Sequence, residues 1–433
     1  MTLRITAAPA HGSDTGAPAP GRVAGRAAWA GIDQALSSLS NFALSLTAVR
    51  MLGLRDLGSF GVAYGTYQFL VLLSRALIAE PLVMRFSHVD TDTWRRAAGS
   101  ALRAAFVFGL LCAAILMGVS QALGGALAGP LFALGIVMPG LLVQDACRFI
   151  FFAGARPELS AANDFVWMLV VVPGMAVAIV SQNIDATSFI LVWGLAGCVA
   201  AVVGLWQAPG IRGLSRGPFV WFREQRDLSL RLALEFVIDG GATQIALLSI
   251  AGLAGLAALG SVRAVLAVLG PVYFIFMGVQ IFAVPELVRL RHRAPQRVPK
   301  LLFALCAFLC MSAVATCVAL LVVPAGWMEA ILGENWESAR PLLPVFSIFV
   351  VAAAAIVSAR IGLRVFSAVR QSLIARSTTA PLVIGATALG AWQWQAGGAA
   401  WGLALGNLIA VALWWSQLIR LLRSNETRPA TDG

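Results

Sequence analysis

Charged residues are scarce in this sequence. Only 12% of the 433 residues are charged, whereas 59% are hydrophobic, and the mean hydropathy is +0.85. Soluble domains are usually about a quarter charged, and a chain of this size cannot hide so much apolar side chain in a water-facing fold. The composition therefore excludes a soluble globular protein and predicts an all-α polytopic membrane protein. The net charge of +11 then reflects residues beside membrane spans rather than nucleic-acid binding.

Histidine and cysteine are too few and too scattered for a metal site or a disulfide framework. The three histidines are His11, His88 and His292, and the six cysteines lie in or beside apolar stretches without zinc-ligand spacing. The sequence also contains no Walker motif, no HExxH and no nucleophile beside a plausible base. We therefore predict no enzyme activity and no cofactor. Any transport must be driven by a proton or sodium gradient, by the membrane potential, or by downstream consumption.

Long apolar stretches recur twelve times, each sufficient to cross about 30 Å of hydrocarbon. They lie near residues 27–49, 57–80, 97–119, 130–152, 163–181, 185–206, 229–252, 255–283, 301–323, 341–359, 372–393 and 398–419. With the N-terminus inside, all but five of the 31 basic residues fall in cytoplasmic segments, as the positive-inside rule expects. The sequence thus predicts twelve spans with both termini cytoplasmic, and its Arg- and Ala-rich usage indicates a GC-rich bacterial genome.

The composition also predicts how these spans are divided. Residues 1–26 are rich in Ala, Pro and Gly and are predicted to be a disordered cytoplasmic tail. Residues 207–228 contain Gly, Pro and Arg at the midpoint of the twelve spans, and we interpret them as a cytoplasmic linker. This leaves an N-terminal six-helix lobe at 27–206, a C-terminal lobe at 229–420 and a cytoplasmic tail at 421–433.

A repeated heptapeptide relates the two halves. GLRDLGS at residues 53–59 and GLAALGS at 255–261 are identical at five of seven positions and are offset by 202 residues. The same offset aligns a polar stripe at spacing four in the first span with one in the seventh. The aligned residues are Asp33, Ser37 and Asn41 in the first span and Glu235, Asp239 and Thr243 in the seventh. Two parallel repeats with equivalent polar faces are predicted.

Carboxylates within these spans are candidates for ion coupling. An intramembrane carboxylate is costly, so it tends to face a bundle interior or an ion path, and close carboxylates raise each other's proton affinity. The candidates are Glu235, Asp239, Asp33 and Glu80. The alternative is that Asp33 and Glu235 only reach the inner interface or cap neighbouring helices.

Arginine residues within the spans are candidates for binding an anionic substrate, because a guanidinium binds phosphate or carboxylate as a fork. Arg263 lies about 10 Å inside the eighth span by helical rise; the alternative is a structural ion pair. Arg75 could instead extend to the inner interface, with Glu80 as a neighbour, and Arg50 could be a solvated charge at the rim. The predicted substrate-binding residues are Arg263, Arg75, Arg50, Tyr273, Gln280, Gln68 and Asn41.

Three segments resemble a known family. They are DQALSSLSNFALSLTAVRMLGLRDLGSFGVAYGTYQFLVLLSRALIAEPLVMR (33–85), LGSVRAVLAVLGPVYFIFMGVQIFAVPELVRL (259–290) and LGENWESARPLLPVFSIF (332–349). They are similar to polysaccharide-transport flippases of the multidrug/oligosaccharidyl-lipid/polysaccharide (MOP) exporter superfamily. The resemblance implies two six-helix lobes around a central cavity that opens alternately to each side. It also implies that this cavity accepts the diphosphate and sugars of an undecaprenyl-linked oligosaccharide.

Three functions are therefore considered. The first is translocation of a lipid-linked repeat unit across the inner membrane for surface polysaccharide or exopolysaccharide synthesis. Its expected partners are the lipid-linked oligosaccharide, membrane lipids, and the polymerase and glycosyltransferases of the same pathway, with no nucleic acid. The second is a cation-coupled multidrug-type exporter of the same fold. The third is a membrane glycosyltransferase or polymerase, which the short outer loops and the even repeat disfavour.

Overall fold

The computed structural model describes residues 20–86, 89–154, 156–181, 184–208 and 217–426, and all regular structure within these ranges is helical. The N-terminal half contains α1 (Pro20–Met51), α2 (Leu54–Ser74), a π-helical turn (Arg75–Ala79), α3 (Glu80–Phe86), α4 (Thr91–Leu123), α5 (Gly125–Ala153), α6 (Pro157–Val180) and α7 (Ala186–Gln207). The C-terminal half contains α8 (Pro218–Leu253), α9 (Leu256–Val268), α10 (Gly270–Arg293), α11 (Val298–Val322), α12 (Ala325–Leu332), α13 (Asn335–Ala339), α14 (Leu343–Val365) and α15 (Val369–Glu426).

The helices correspond to the twelve predicted spans. In the described part of the chain, eight helices are long and apolar enough to cross a membrane, and the bent α8 makes nine. The other spans correspond to α1, to α2 with its π-helical turn and α3, and to a second helix within α15. The predicted eighth span is not one helix, because it breaks between α9 and α10 at Leu269.

The helix α15 contains the last two spans. Its backbone leaves the helical conformation at Trp394 and Gln395, and the φ angle of Gln395 is +52°. The chain then folds back, so that a Cβ atom on Gly402 would lie 2.2 Å from the carbonyl oxygen of Ala386. Glycine at this position allows the two helices to approach more closely than larger residues permit. The predicted separation between residues 393 and 398 is confirmed.

Side-chain caps and glycines determine where several helices begin. Asp90 accepts hydrogen bonds from the backbone N–H groups of Asp92 and Thr93 at 3.1 and 2.9 Å, which satisfies the exposed start of α4. These bonds, above all those from Thr93, lower the pKa of Asp90. Before α9, Gly255 has a φ angle of +89°, a conformation that disfavours residues with a Cβ atom.

The helix α8 belongs to both halves. It bends by 43° between its segments Pro218–Val237 and Gly240–Leu253. Its first segment packs on the N-terminal half, where the ring of Trp221 lies 6.0 Å from that of Phe86 and Arg85 pairs with Asp227 at 2.8 Å. The structure therefore differs from the predicted linker and lobe boundary, because helix begins at residue 218 and crosses to the other half. Residues 1–19, 209–216 and 427–433, within the predicted tails and linker, lie outside the described residues.

The two halves share a core at one end only. Near the repeated heptapeptides, a single apolar cluster includes Leu57 and Phe60 of the N-terminal half and Leu259 and Val262 of the C-terminal half. At the opposite end the core divides into two separate clusters, one around α3 and α4 and the other around α11 and α14. The arrangement is two lobes joined at the heptapeptide end.

Candidate functional site

A π-helical turn positions Arg75. In Arg75–Ala79 the backbone bonds are one residue longer than in an α-helix, and the N–H of Glu80 donates to the carbonyl of Arg75. Such turns leave a carbonyl without its helical partner and are common at functional sites. Here the hydroxyl of Ser229, from α8, donates to the carbonyl of Leu77 at 2.7 Å. The contact satisfies a backbone group within the membrane, where an unpaired carbonyl is costly.

Arg75 forms an ion pair at the wall of a cavity in the N-terminal lobe. Its Nη2 lies 2.6 Å from Oδ1 of Asp145, and its Nε donates to Oδ2 at 3.0 Å. Asp145 is buried, with a side-chain exposure of 6%, and the guanidinium of Arg75 lies 5.3 Å from the ring of Phe149. Arg75 therefore neither extends to the inner interface nor pairs with Glu80. It neutralises a buried carboxylate that would otherwise be very unfavourable.

A second pair of opposite charges lies beside the first. Nη2 of Arg148 is 3.6 Å from Oδ2 of Asp164, whose side chain is only 8% exposed. The amide of Gln144 donates to Asp164 at 3.1 Å and to Asn163 at 3.2 Å, and Asn163 donates to the carbonyl of Ala200 at 2.7 Å. The buried charges therefore belong to a hydrogen-bonded network that spans α5, α6 and α7.

These groups line a cavity of about 340 Å³. Among the described residues its charged side chains are Arg75, Asp145, Arg148 and Asp164, two of each sign, so the formal charges of these four cancel. The face formed by α1 and α2 supplies uncharged polar side chains. They are Gln34, Ser37, Ser38, Ser40, Asn41 and Gln68.

Aromatic rings form the rest of the cavity wall. The ring of Tyr67 lies 4.7 Å from Trp193 in an edge-to-face arrangement, and Trp167 lies 5.7 Å from Trp193. The indole N–H of Trp167 donates to the carbonyl of Trp193 at 3.2 Å, which fixes the orientation of the Trp167 ring. The hydroxyl of Tyr64 donates to Oδ1 of Asn41 at 3.2 Å. The cavity thus combines oriented aromatic surfaces with amides and hydroxyls.

The repeated heptapeptides contact each other. A Cβ atom on Gly58 would lie 1.9 Å from the carbonyl oxygen of Leu256, and one on Gly260 would lie 2.1 Å from that of Leu54. Leu54 and Leu256 are separated by the same 202 residues as Gly58 and Gly260. The two contacts are therefore equivalent under the repeat, and α2 and α9 meet about an approximate two-fold axis.

Arg263 lies beneath this contact and joins the lobes. Its Nη2 donates at 2.8 Å to the carbonyl of Gly61, the residue that occupies the equivalent position in the other repeat. A Cβ atom on Gly61 would lie only 3.0 Å from Cγ of Arg263, so the glycine makes room for the arginine. Within the described residues, Nε of Arg263 is buried without a hydrogen-bond partner, and no carboxylate pairs with the group. A small cavity of about 110 Å³ adjoins it, beside Tyr64 and Ser45.

The structure brings together some of the predicted substrate-binding residues and separates others. Asn41, Gln68 and Arg75 line the larger cavity, whereas Arg263 lines the smaller one. Arg50 is exposed at the end of α1, and its guanidinium donates a hydrogen bond to the carbonyl of Ala330, which links α1 to α12. Further down α10, Tyr273 packs edge-on against Phe276, and Gln280 donates to the carbonyl of Phe276 at 3.4 Å. Neither Arg50, Tyr273 nor Gln280 lines either cavity.

Of the predicted ion-coupling residues that the structure describes, neither Glu235 nor Glu80 lines these two cavities. Glu235 is exposed on the first segment of α8, and Glu80 is exposed at the start of α3. Thr243, the polar residue aligned with Asn41, is exposed on the second segment of α8. The side chains of Asp33 and Asp239 lie outside the described structure. In the described residues no group of three or more metal-ligating side chains occurs.

Sequence reasoning missed the charge network of the N-terminal lobe. Its members are Gln144, Asp145, Arg148, Asn163 and Asp164. The charge count assigned Arg148 to the cytoplasmic side, but its side chain faces the cavity about one turn inside α5. The signal was present, because QDACR at 144–148 and ND at 163–164 interrupt otherwise apolar stretches.

The sequence matches no family model and no curated protein. Its fold, however, is similar to solved transporter structures. The inward-facing conformation of a multidrug resistance MATE family transporter of the MOP superfamily superimposes with a TM-score of 0.76 at 10% identity, covering 92% of this chain and 100% of that chain. The chain has the fold of MOP superfamily transporters. The predicted all-α membrane fold of two six-helix lobes is therefore confirmed.

Two further solved structures share the fold at lower scores. An outward-facing MATE family transporter gives a TM-score of 0.58 at 11% identity, covering 94% of this chain and 96% of that one. A MOP superfamily transporter from Pyrococcus furiosus, described as having a binding pocket of reverse polarity, gives a TM-score of 0.59 at 12% identity with the same coverage.

Proposed function

We propose that this protein is a flippase that moves a lipid-linked oligosaccharide across the bacterial inner membrane by alternating access. The observation that carries the proposal is Arg263, a guanidinium with no countercharge in the described residues, at the contact between the lobes. Burying a cation without an anion is costly. A diphosphate headgroup would supply that anion and bind the guanidinium fork, whereas a neutral or cationic drug would not.

The closed end is assigned to the outer side. The end where the cores are separate is the cytoplasmic end under the positive-inside rule. A lipid-linked oligosaccharide is made in the cytoplasmic leaflet, so its headgroup would enter there. Binding of the diphosphate to Arg263 would compete with the bond from Arg263 to Gly61 and so weaken the closed contact. Substrate binding would thereby be coupled to opening of the outer end, because the substrate would bind the outward-open state more tightly than the state that is closed at this end.

The test is a flipping assay in proteoliposomes with an undecaprenyl-diphosphate-linked oligosaccharide. Loss of a charge-assisted hydrogen bond costs about 1.5–3 kcal/mol, so Arg263→Ala should slow flipping roughly 10- to 100-fold. Arg263→Lys keeps the charge and should retain part of the rate. The matched control is Arg55→Ala, because Arg55 is an exposed arginine at the same end. Normal flipping by Arg263→Ala would remove Arg263 from the site.

A second function, a cation-coupled multidrug-type exporter, is favoured by one observation. Glu235 is exposed on α8 and is available to a cation. A deletion strain distinguishes the two functions. A flippase predicts accumulation of the lipid-linked oligosaccharide in the inner leaflet, whereas an exporter predicts altered drug tolerance with unchanged lipid-linked pools. The transporter fold gives no support to the third function, a membrane polymerase or glycosyltransferase.

A further inference from the structure

We infer that the 340 Å³ cavity of the N-terminal lobe is a subsite for an uncharged sugar segment, so that the protein selects neutral glycans over acidic ones. The inference rests on the proposed flippase function and deepens it. It concerns residues that lie apart from Arg263, namely the paired charges, the amides of α1 and α2, and Trp167. It assigns them a chemical preference rather than a role in anchoring the diphosphate.

The charged side chains that line this cavity are already paired with each other. Both carboxylate oxygens of Asp145 accept hydrogen bonds from Arg75, and Asp164 pairs with Arg148 while accepting from Gln144. An anionic sugar would therefore have to compete with Asp145 for Arg75, and a cationic drug would have to compete with Arg75 for Asp145. Either exchange leaves a buried charge uncompensated. The paired network disfavours both charged classes and leaves an uncharged polar ligand as the one that binds without that cost.

The amide side chains of α1 and α2 have free hydrogen-bonding capacity that suits sugar hydroxyl groups. Hydroxyl groups both donate and accept, and side-chain amides provide both capacities. In the described structure Asn41 uses only its carbonyl oxygen, which accepts from Tyr64, and Gln68 has no hydrogen-bond partner. Gln34 donates to Ser38 at 3.1 Å, which leaves its carbonyl oxygen as an acceptor. These groups line one wall and match the hydroxyl-rich edge of a pyranose ring.

Trp167 and the volume of the cavity also suit a short sugar segment. Trp167 is half-buried, and its bond to Trp193 fixes its ring, so it offers a rigid apolar surface to the C–H face of a sugar. Ligand pockets range from about 300 to about 1,000 Å³, so a cavity of about 340 Å³ accepts a short segment rather than a whole repeat unit. The Tyr64–Asn41 hydrogen bond connects the wall of this cavity to that of the small one beside Arg263. A diphosphate at Arg263 would thus be followed by its first sugars here.

The experiment compares two probes that differ only in charge. Both are short-chain polyprenyl diphosphates, one with a trisaccharide of neutral hexoses and the other with one hexose replaced by glucuronic acid. Flipping in proteoliposomes is followed by a membrane-impermeant enzyme that consumes the sugar in the outer leaflet. The readout is the ratio of the initial rates for the neutral and the acidic probe. The wild type should give a ratio well above one.

Charge variants should move this ratio in opposite directions. Asp145→Asn leaves Arg75 uncompensated and should lower the ratio, whereas Arg75→Gln should raise it. A unit charge about 5 Å away in a partly dry site changes affinity enough that we expect a shift of about tenfold or more in each case. The double variant Arg75→Gln/Asp145→Asn restores neutrality and should restore the wild-type ratio. Because it contains no unpaired charge, it also provides the test if either single variant fails to fold.

An aromatic variant tests the stacking surface separately. Trp167→Leu should slow both probes without changing their ratio. Its matched control is Trp392→Leu, since Trp392 is 67% exposed and lines neither cavity. Equal rates for both probes in the wild type, with a ratio unchanged in the double and single variants, would overturn the neutral-sugar subsite and leave the flippase proposal standing. Failure to flip either probe by a protein that exports cationic drugs would overturn both.

Discussion

Glycine at positions 58 and 260 allows the heptapeptide end to close, and substitution of either residue should open it. Cβ atoms essentially never lie within 3.0 Å of another heavy atom, but an added Cβ on Gly58 would lie 1.9 Å from the carbonyl oxygen of Leu256. The obstructing atom is backbone, so it cannot rotate away as a side chain would. Helices α2 and α9 must then separate by about 1 Å to admit an alanine at this packed contact.

The free-energy cost follows from this overlap. Forcing one additional carbon into a well-packed contact typically costs about 1–3 kcal/mol, which changes the ratio of closed to open protein by about 5- to 150-fold. The equivalent contact at Gly260 predicts a similar change, because its Cβ would lie 2.1 Å from the carbonyl oxygen of Leu54. Both Gly58→Ala and Gly260→Ala should therefore shift the protein towards the state that is open at this end.

The assay is double electron–electron resonance between spin labels at Arg55 and Ala257. Both residues are exposed, and they occupy equivalent positions in the two heptapeptides. In a cysteine-free background, each glycine variant should broaden the distance distribution and lengthen its mean. Gly252→Ala is the matched control, because nothing lies within 4 Å of the Cβ atom it would add. If Gly58→Ala and Gly260→Ala gave the control's distribution, the closure would not depend on this contact.

Three other predictions concern stability. Asp145→Asn should lower the free energy of unfolding by up to about 3 kcal/mol because it leaves Arg75 half-buried and unpaired. The double variant with Arg75→Gln should recover most of the loss in thermal unfolding, and full stability of the single variant would contradict the pairing. Asn335 donates to two carbonyls at the end of α1 at 2.5 and 2.7 Å, so Asn335→Ala should cost about 1–3 kcal/mol and lower the Tm. Hydrogen bonds from Thr93 lower the pKa of Asp90, so the stability that Asp90 contributes is present above its unfolded pKa of about 3.9 and lost on acidification. Asp90→Ala should accordingly lower the Tm more at pH 7 than at pH 3, and an equal difference at both values would refute the cap.

The heptapeptide repeat shows how far sequence could lead towards the site. Its offset of 202 residues relates Gly58 to Gly260, and the same offset aligns Gly61 with Arg263. It did not reveal that equivalent positions touch, because an offset in sequence contains no information about which surfaces meet. The bond from Arg263 to Gly61 joins residues 202 positions apart, and it forms only because two helices cross at glycine.

The charge network illustrates the opposite case. Asp145 and Asp164 are visible in the sequence as carboxylates in apolar stretches, yet their partners Arg75 and Arg148 lie in other helices or were attributed to the membrane interface. Helical periodicity fixes the face of a residue on its own helix. The neighbour of that face depends on how the helices pack and on the extra residue in the π-helical turn at Arg75.

The sequence by itself determined that the protein lies in a membrane, how many spans it has and that its two halves are related. These properties depend on summed hydropathy and on local periodicity. Only the tertiary structure decided which charges are neutralised, which polar residues share a cavity and which end is closed. Those properties depend on contacts of a few ångströms between distant segments. An arginine in a membrane span can therefore be an exposed charge, as Arg50 is, half of an ion pair, as Arg75 is, or a cation without a carboxylate partner in the described residues, as Arg263 is. The helix that packs against it decides which.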